Sequence, residues 1–102
     1  MSKPAAATTE YRLPSAATME YAAKIAIEED KPIMLDYWRG SLEKKVLIGQ
    51  RDDETKAKIL VRNEEEYTSY IKQIFKSEGD YIIMTENSIY LVDVGIPLRR
   101  IS

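Results

Sequence analysis

Two aspartates are the side chains of this sequence best suited to acid–base chemistry. Asp36 interrupts an apolar run over residues 33–38, and Asp93 follows an apolar run over residues 89–92. Carboxylate catalysis needs two acids within a few ångströms of each other, often with one in an apolar setting that raises its pKa. A carboxylate-dependent enzyme is therefore one interpretation, and it requires that the fold bring Asp36 and Asp93 together. The alternative is that each faces solvent from a half-exposed sheet.

The chain lacks the residue types on which most other catalytic and metal sites depend. It has no His and no Cys, which excludes imidazole bases, thiol nucleophiles, disulfides and zinc-finger ligation. Ser41 with Lys44 or Lys45 is the remaining pairing for a nucleophile and its base, and the four glycines are too scattered for a phosphate loop. We expect no enzymatic activity, no metal site and no small-molecule cofactor. The absence of Cys favours the cytoplasm or another reducing intracellular compartment.

Basic residues are concentrated in the middle of the chain, although the formal net charge of the whole chain is -2. Residues 31–62 contain eight Lys or Arg and five Asp or Glu. Aromatic side chains beside a basic sheet bind single-stranded nucleic acids by stacking on bases and neutralising phosphates. One hypothesis is therefore a small single-stranded nucleic-acid-binding domain that uses the basic strands 44–62. Its candidate contacts are Lys44, Lys45, Arg51, Lys56, Lys58 and Arg62.

The high number of tyrosines indicates a protein-binding function instead of catalysis or nucleic-acid binding. The chain has seven Tyr, one Trp and one Phe, and so many tyrosines do not all fit inside the core of one small domain. Tyr and Trp are favoured contact residues at protein interfaces. Our first hypothesis is a non-enzymatic protein-interaction or assembly module. It would associate with its own copies or serve as a subunit of a larger complex, such as a virus particle or ribonucleoprotein, through Trp38, Tyr37, Tyr67 and Tyr70.

The elements that must position these residues fit one domain of 102 residues. Residues 1–12 are mostly small or polar and predict a flexible N-terminal arm, whereas residues 13–102 predict a single domain. No apolar run is long enough to span a membrane, and residues 1–14 lack the apolar core of a secretory signal, so we expect a soluble chain. Ser15 is positioned to cap a helix over residues 16–29.

The rest of the sequence predicts strands and one more helix. Asn63 followed by Glu66 is a capping-box pattern, and the apolar stripe from Tyr67 to Phe75 predicts a second helix that Gly79 ends. The predicted fold class is α+β, with the order α-β-β-β-α-β-β and an antiparallel sheet on which two helices pack. Alternating apolar positions predict strands over residues 33–38, 46–50, 56–62, 81–85, 89–94 and, as a short edge strand, 98–101.

Overall fold

A computed structural model describes residues 11–101 and shows two helices and seven strands in two sheets. The predicted α+β class is confirmed. One sheet has four strands in the order β1-β6-β5-β4, and the other has three in the order β3-β2-β7. The elements are α1 (Ala16–Glu29), β1 (Ile33–Met34), α2 (Trp38–Leu42), β2 (Leu47–Arg51), β3 (Lys58–Val61), β4 (Ile71–Ser77), β5 (Asp80–Thr85), β6 (Ile89–Asp93) and β7 (Leu98–Ile101).

The first helix begins and ends where the sequence predicts. The Ser15 side chain accepts a hydrogen bond from the Thr18 N–H, and Asp30 follows the helix in the left-handed conformation. Thr18, Ala22 and Ile25 are the buried residues of α1. The small side chain of Ala22 lets α1 lie close against β1 and β5. The second helix, α2, lies against β6.

The strand predicted over residues 33–38 is shorter than expected and lies at an edge of the four-stranded sheet. Only Ile33–Met34 pairs with β6, and the pairing is parallel. The chain then turns, with the Trp38 N–H donating to the Leu35 carbonyl at 3.1 Å. This turn starts α2 and places the Trp38 ring in the apolar core between the helices and the sheet. Burial of this large ring stabilises the turn that replaces the other four residues of the predicted strand.

Strands β5 and β6 form the predicted hairpin at the centre of the fold. They pair antiparallel, and the Thr85 N–H donates to the Ser88 carbonyl at 2.9 Å to close the connection. Ile82 and Ile83 on β5 are both fully buried. Because neighbouring strand residues face opposite ways, Ile82 packs in the core beneath α1, and Ile83 packs in a second core against the three-stranded sheet.

The second helix predicted after Asn63 is not formed, because its residues fold as a turn and a strand. Asn63 Oδ1 accepts from the Glu66 N–H at 3.0 Å, so the capping pattern closes a turn. Ile71–Ser77 then pairs antiparallel with β5. Glu78 and Gly79 have φ values of 51° and 86°, as the two-residue turn of a β-hairpin requires. The apolar stripe also has strand-favouring residue types, and pairing with β5 decides between the two structures.

The three-stranded sheet joins the β2–β3 hairpin to the edge strand β7, which the sequence predicts. The β2–β3 pairing is antiparallel, as expected, but β7 runs parallel to β2. Ile48 and Leu60 on its inner face are buried in the second core. Both described helices pack on the other sheet, so the outer face of the three-stranded sheet has no helical layer.

Candidate functional site

The outer face of the three-stranded sheet carries an apolar groove, which we call the tyrosine groove. Ile59 on β3 and Ile101 on β7 line it together with Arg51, and Tyr67 and Tyr70 line it from the segment that precedes β4. The volume of the groove is about 370 Å³. Tyr67 is 60% exposed and Tyr70 is 50% exposed, so both rings present apolar area to solvent.

Gly49, at the centre of the same face, lets the neighbouring side chains lie close to the sheet. A Cβ atom at this position would lie 3.0 Å from Ile101 Cγ2 and 3.3 Å from Val61 Cγ2. Real Cβ contacts are seldom that short, so any larger residue would push Ile101 outward. The shape of the groove therefore depends on a glycine in a central strand, where glycine otherwise weakens a sheet.

The turn at Asn63 determines where the two tyrosines lie. After the turn, Tyr67 forms an antiparallel bridge with Val61, and the Thr68 N–H donates to the Leu60 carbonyl at 3.0 Å. The segment is thereby fastened along the edge of β3. Arg51 Nη1 donates to the Tyr70 hydroxyl at 3.5 Å, which holds the second ring at the rim of the groove. Tyr67 and Tyr70 are thus exposed as predicted, but from a turn and a bridge instead of a helix.

Trp38 and Tyr37, the other two predicted contact residues, are buried, with exposed fractions of 7% and 6%. Trp38 Nε1 donates to the Arg12 carbonyl at 2.8 Å, and Tyr37 packs edge-to-face on Tyr90 with ring centroids 5.2 Å apart. Burial raises the pKa of Tyr37 above its ordinary value. The folded chain therefore uses these two rings in its core, and we assign them no part in the groove.

The six basic residues proposed for nucleic-acid binding are divided between different surroundings. Four of them pair with carboxylates, whereas Lys56 and Lys58 form no ion pair within residues 11–101. The aromatic rings expected beside them, Tyr37 and Trp38, are buried. Tyr37 and Trp38 are therefore not available to stack on bases, and the exposed rings that lie beside Arg51 are those of Tyr67 and Tyr70. The four pairs are Lys44 with Asp93, Lys45 with Glu43, Arg51 with Asp53, and Arg62 with Glu66.

The two candidate catalytic aspartates do not form a pair. Asp36 is exposed and lies near Arg39 and Arg62, whereas Asp93 contacts Arg12 and Lys44. Partial burial acts to raise the pKa of Asp93, but hydrogen bonds and charges from its neighbours outweigh it, and the pKa lies below its ordinary value. A lowered pKa keeps this carboxylate ionised, which suits an ion pair better than a general acid.

Asp93 belongs to an ion cluster around Arg12 that the sequence does not predict. Arg12 Nη2 lies 2.7 Å from Asp80 Oδ1 and 2.5 Å from Asp93 Oδ1, and the guanidinium carbon lies 4.9 Å from the centre of the Trp38 ring. Asp80 is fully buried and also accepts from the Thr18 hydroxyl at 2.8 Å. A buried carboxylate with these partners joins the N-terminal segment to α1 and β5.

The predicted flexible arm over residues 1–12 lies outside the described residues except for its last two. Tyr11 and Arg12 both contact the domain: the Tyr11 hydroxyl donates to Glu43 Oε2 at 2.7 Å, and Arg12 joins the ion cluster. No local sequence pattern predicts these contacts, because their partners lie more than thirty residues away along the chain.

A metal-ligating cluster and a membrane-spanning helix are both missing from residues 11–101. Residues 11–101 contain no group of three or more Asp or Glu side chains placed to hold a metal ion. None of the helices described there combines the length and the apolar character that crossing a membrane requires. No protein-family model matches the sequence, and neither a curated protein nor a solved structure matches it.

Proposed function

We propose that this chain is a protein-interaction module that binds a partner protein through the tyrosine groove. The observation that supports the proposal is the exposure of Tyr67 and Tyr70 beside Ile59 and Ile101, on a sheet face without a helical layer. A groove of about 370 Å³ accommodates an apolar side chain of a partner. Interfaces of this type concentrate their binding energy in a few aromatic residues surrounded by polar ones.

The rim of the groove is polar in the way that such interfaces require. Arg51 and Glu86 lie beside the two tyrosine rings, and Asp53 Oδ2 accepts from Arg51 Nε at 2.9 Å. The Tyr70 hydroxyl can keep its hydrogen bond with Arg51 at the rim while the ring is covered by the partner. The partner is either a different protein or a second copy of this chain, and in both cases it contacts Tyr67 and Tyr70.

The test is affinity capture from the native source with the wild-type chain and with a Tyr67→Ser, Tyr70→Ser double variant. A protein that the wild type retains and the double variant loses is the expected result. Each ring should contribute about 1–2 kcal/mol to binding. Once that protein is purified, calorimetry should therefore show about a hundredfold weaker binding by the double variant.

The matched control is Ile27→Ser, since Ile27 on α1 is 81% exposed and lies on the other sheet's helix, away from the groove. It removes a comparable exposed apolar side chain and should leave capture unchanged. Sedimentation of the wild type and the double variant at increasing concentration distinguishes self-association from binding of a different protein. Equal capture by all three chains, or none by any together with a wild type that stays monomeric, would contradict the proposal.

A further inference from the structure

Residues of β3 and β4, the edge strands of the two sheets, line a second cavity, which we call the lysine cleft. Residues 55–58, which lead from a turn into β3, form one wall, and residues 71–74, at the start of β4, form the other. The volume of the cleft is about 390 Å³. Along these walls β3 pairs only with β2, and β4 pairs only with β5. Each sheet therefore ends at the cleft with a strand edge that no described strand covers.

The cleft is closed at one end and open at the other. At the closed end the edge of β3 is occupied, because Leu60 and Thr68 are hydrogen-bonded through their backbones at 3.0 Å and Val61 forms a bridge with Tyr67. Beyond that point the cleft is lined by Lys58, Lys56 and Thr55 on one side, and no backbone hydrogen bond joins these residues to β4 within the described chain. Thr55 lies in a turn and Lys56 has a φ of 54°, so the free edge of β3 begins near Lys58, and a docked strand pairs with the backbone there.

The wall formed by β3 offers backbone hydrogen bonds to a strand in the cleft. The Arg51 N–H donates to the Ala57 carbonyl at 2.8 Å, so Ala57 and Ile59 direct their backbone groups towards β2. Backbone groups alternate between the two sides of a strand. The N–H and C=O groups of Lys58 therefore point away from β2 and into the cleft, as those of Leu60 point towards Thr68 at the closed end.

The wall formed by β4 carries a β-bulge at the cleft. Ile71 is opposite Thr85 and Gln73 is opposite Met84, so Lys72 is an additional residue without a partner on β5. Bulges of this kind direct a side chain away from the regular pattern and are common beside functional sites. Here the bulge puts a lysine on the wall that faces Lys58.

The charge of the cleft is uniformly positive. Lys56, Lys58 and Lys72 line it, no acidic residue does, and none of the three forms an ion pair within the described chain. Asp52 and Asp53 lie close by in sequence, but Asp52 pairs with Arg100 at 3.8 Å and Asp53 with Arg51 at 2.9 Å. Ile71 and Ile74, both partly buried, supply the apolar lining.

We propose that the lysine cleft binds an acidic segment of a partner protein in extended conformation, as an additional strand beside β3. The segment pairs with the backbone of Lys58, directs carboxylates to the three lysines, and places small apolar side chains over Ile71 and Ile74. Addition of a strand to an open sheet edge is a common way of recognising peptides. This site shares no residue with the tyrosine groove, so it does not depend on the function proposed for that groove.

The cleft suits a polypeptide better than a single-stranded nucleic acid, although phosphates also bind lysines. Recognition of single strands relies on exposed aromatic rings that stack on the bases, and no Tyr, Trp or Phe lines the cleft. Its walls instead provide a strand edge, which a peptide backbone can complete and a sugar–phosphate backbone cannot.

The first experiment titrates the full chain, labelled with nitrogen-15, with a short capped peptide that alternates glutamate and threonine. We expect the amide signals of Lys58 and Lys72 to shift on binding. The same peptide with glutamine in place of glutamate should bind at least about tenfold more weakly, because it offers no charge to the three lysines. Methylation of alternate backbone nitrogens in the acidic peptide should also abolish binding, because it blocks strand pairing.

The matching variants reverse charges on the two walls. Lys58→Glu with Lys72→Glu should weaken binding of the acidic peptide by at least about tenfold. Lys76→Glu is the control, because Lys76 is exposed on the same strand β4 but does not line the cleft, and it should leave the affinity nearly unchanged. An amide spectrum of each variant verifies that the fold is retained, and Lys58→Gln with Lys72→Gln replaces the first variant if it does not fold.

Four results would each overturn the proposal. The first is no binding of the acidic peptide at low salt. The second is equal affinity for the glutamine peptide, and the third is undiminished binding of the methylated peptide, which would mean attraction without strand pairing. The fourth is lysine-dependent binding of an oligothymidylate probe that is tighter than binding of the acidic peptide, which would assign the cleft to nucleic acid.

Discussion

The two sheets of this domain differ in what covers them. The four-stranded sheet lies under α1 and α2, and the guanidinium of Arg12 contacts Asp80 at the end of its interior strand β5. The three-stranded sheet has one face in the core and one face open to solvent. The tyrosine groove lies on that open face, and the lysine cleft lies between the edge strand β3 of this sheet and the edge strand β4 of the other. A small chain can thus concentrate its stabilising contacts on one sheet and leave the outer face of the other sheet available to partners. Substitutions beneath the helices should therefore mainly affect stability, and substitutions on the open face of the three-stranded sheet should mainly affect binding.

The largest expected difference in stability is between two isoleucine-to-alanine variants, one in the core beneath α1 and one on the open face of the other sheet. Ile82→Ala, in the four-stranded sheet, removes a fully buried side chain and should lower the free energy of unfolding by about 3–4 kcal/mol. Ile59→Ala, on the open face of the three-stranded sheet, should cost about 1 kcal/mol. Urea unfolding of both variants measures the difference, and equal losses would mean that the two sheets do not differ as described.

The ion cluster around Arg12 should give the next largest effect. Arg12→Ala leaves the buried Asp80 carboxylate without its cation. The expected loss is about 2 kcal/mol, less than for a fully buried pair because the guanidinium is 43% exposed and partly screened by solvent. Asp80→Asn in the Arg12→Ala background removes the unpaired charge and should recover part of the loss in thermal unfolding. A double variant less stable than the sum of the single changes would contradict this account.

Gly49→Ala should reduce stability by about 1–2 kcal/mol, because the new Cβ meets Ile101 and Val61 at short distances. The same substitution should disturb the tyrosine groove, whose lining includes Ile101. Chemical unfolding measures the first effect and amide exchange of β7 the second. Ile101→Ala in the Gly49→Ala background removes the clash and should recover stability; no recovery would show that the cost of Gly49→Ala arises elsewhere.

The smallest expected effect is a dependence of stability on acid pH. The pKa of Asp93 is lowered in the folded chain, so the folded state binds its proton less readily than the unfolded state does. Its contribution is complete above the unfolded pKa of about 3.9 and is lost as the pH falls through the folded value. Asp93→Asn should therefore flatten the decline in unfolding temperature below that pH, and an unchanged decline would mean that other groups cause it.

Much of the fold can be predicted from local patterns, except where an element forms only by pairing with a distant strand. Ser15 caps α1 through its own neighbours, and the β5–β6 hairpin follows from two alternating runs around a short polar turn, so both are predictable. The helix expected after Asn63 does not form, because residues 71–77 gain more from pairing with β5 as strand β4. A local pattern of apolar residues does not show such pairing with a distant segment. For the candidate site, the composition indicates that some tyrosines are exposed, and Tyr67 and Tyr70 are, although their role as contact residues stays a prediction. The close approach at Gly49 and the bulge at Lys72 depend on strand pairing and have no local signal.

Sequence patterns alone specify the elements whose hydrogen bonds close within a few residues, such as α1 and the turn at Asn63. The composition also excludes any chemistry that needs His or Cys side chains. Only the tertiary structure decided that Trp38 lies in the core, that Arg12 meets Asp80, and that two strand edges face each other across three lysines. The physical reason is that burial and strand pairing join residues far apart along the chain. Their free energies exceed the local preferences that a sequence pattern reports.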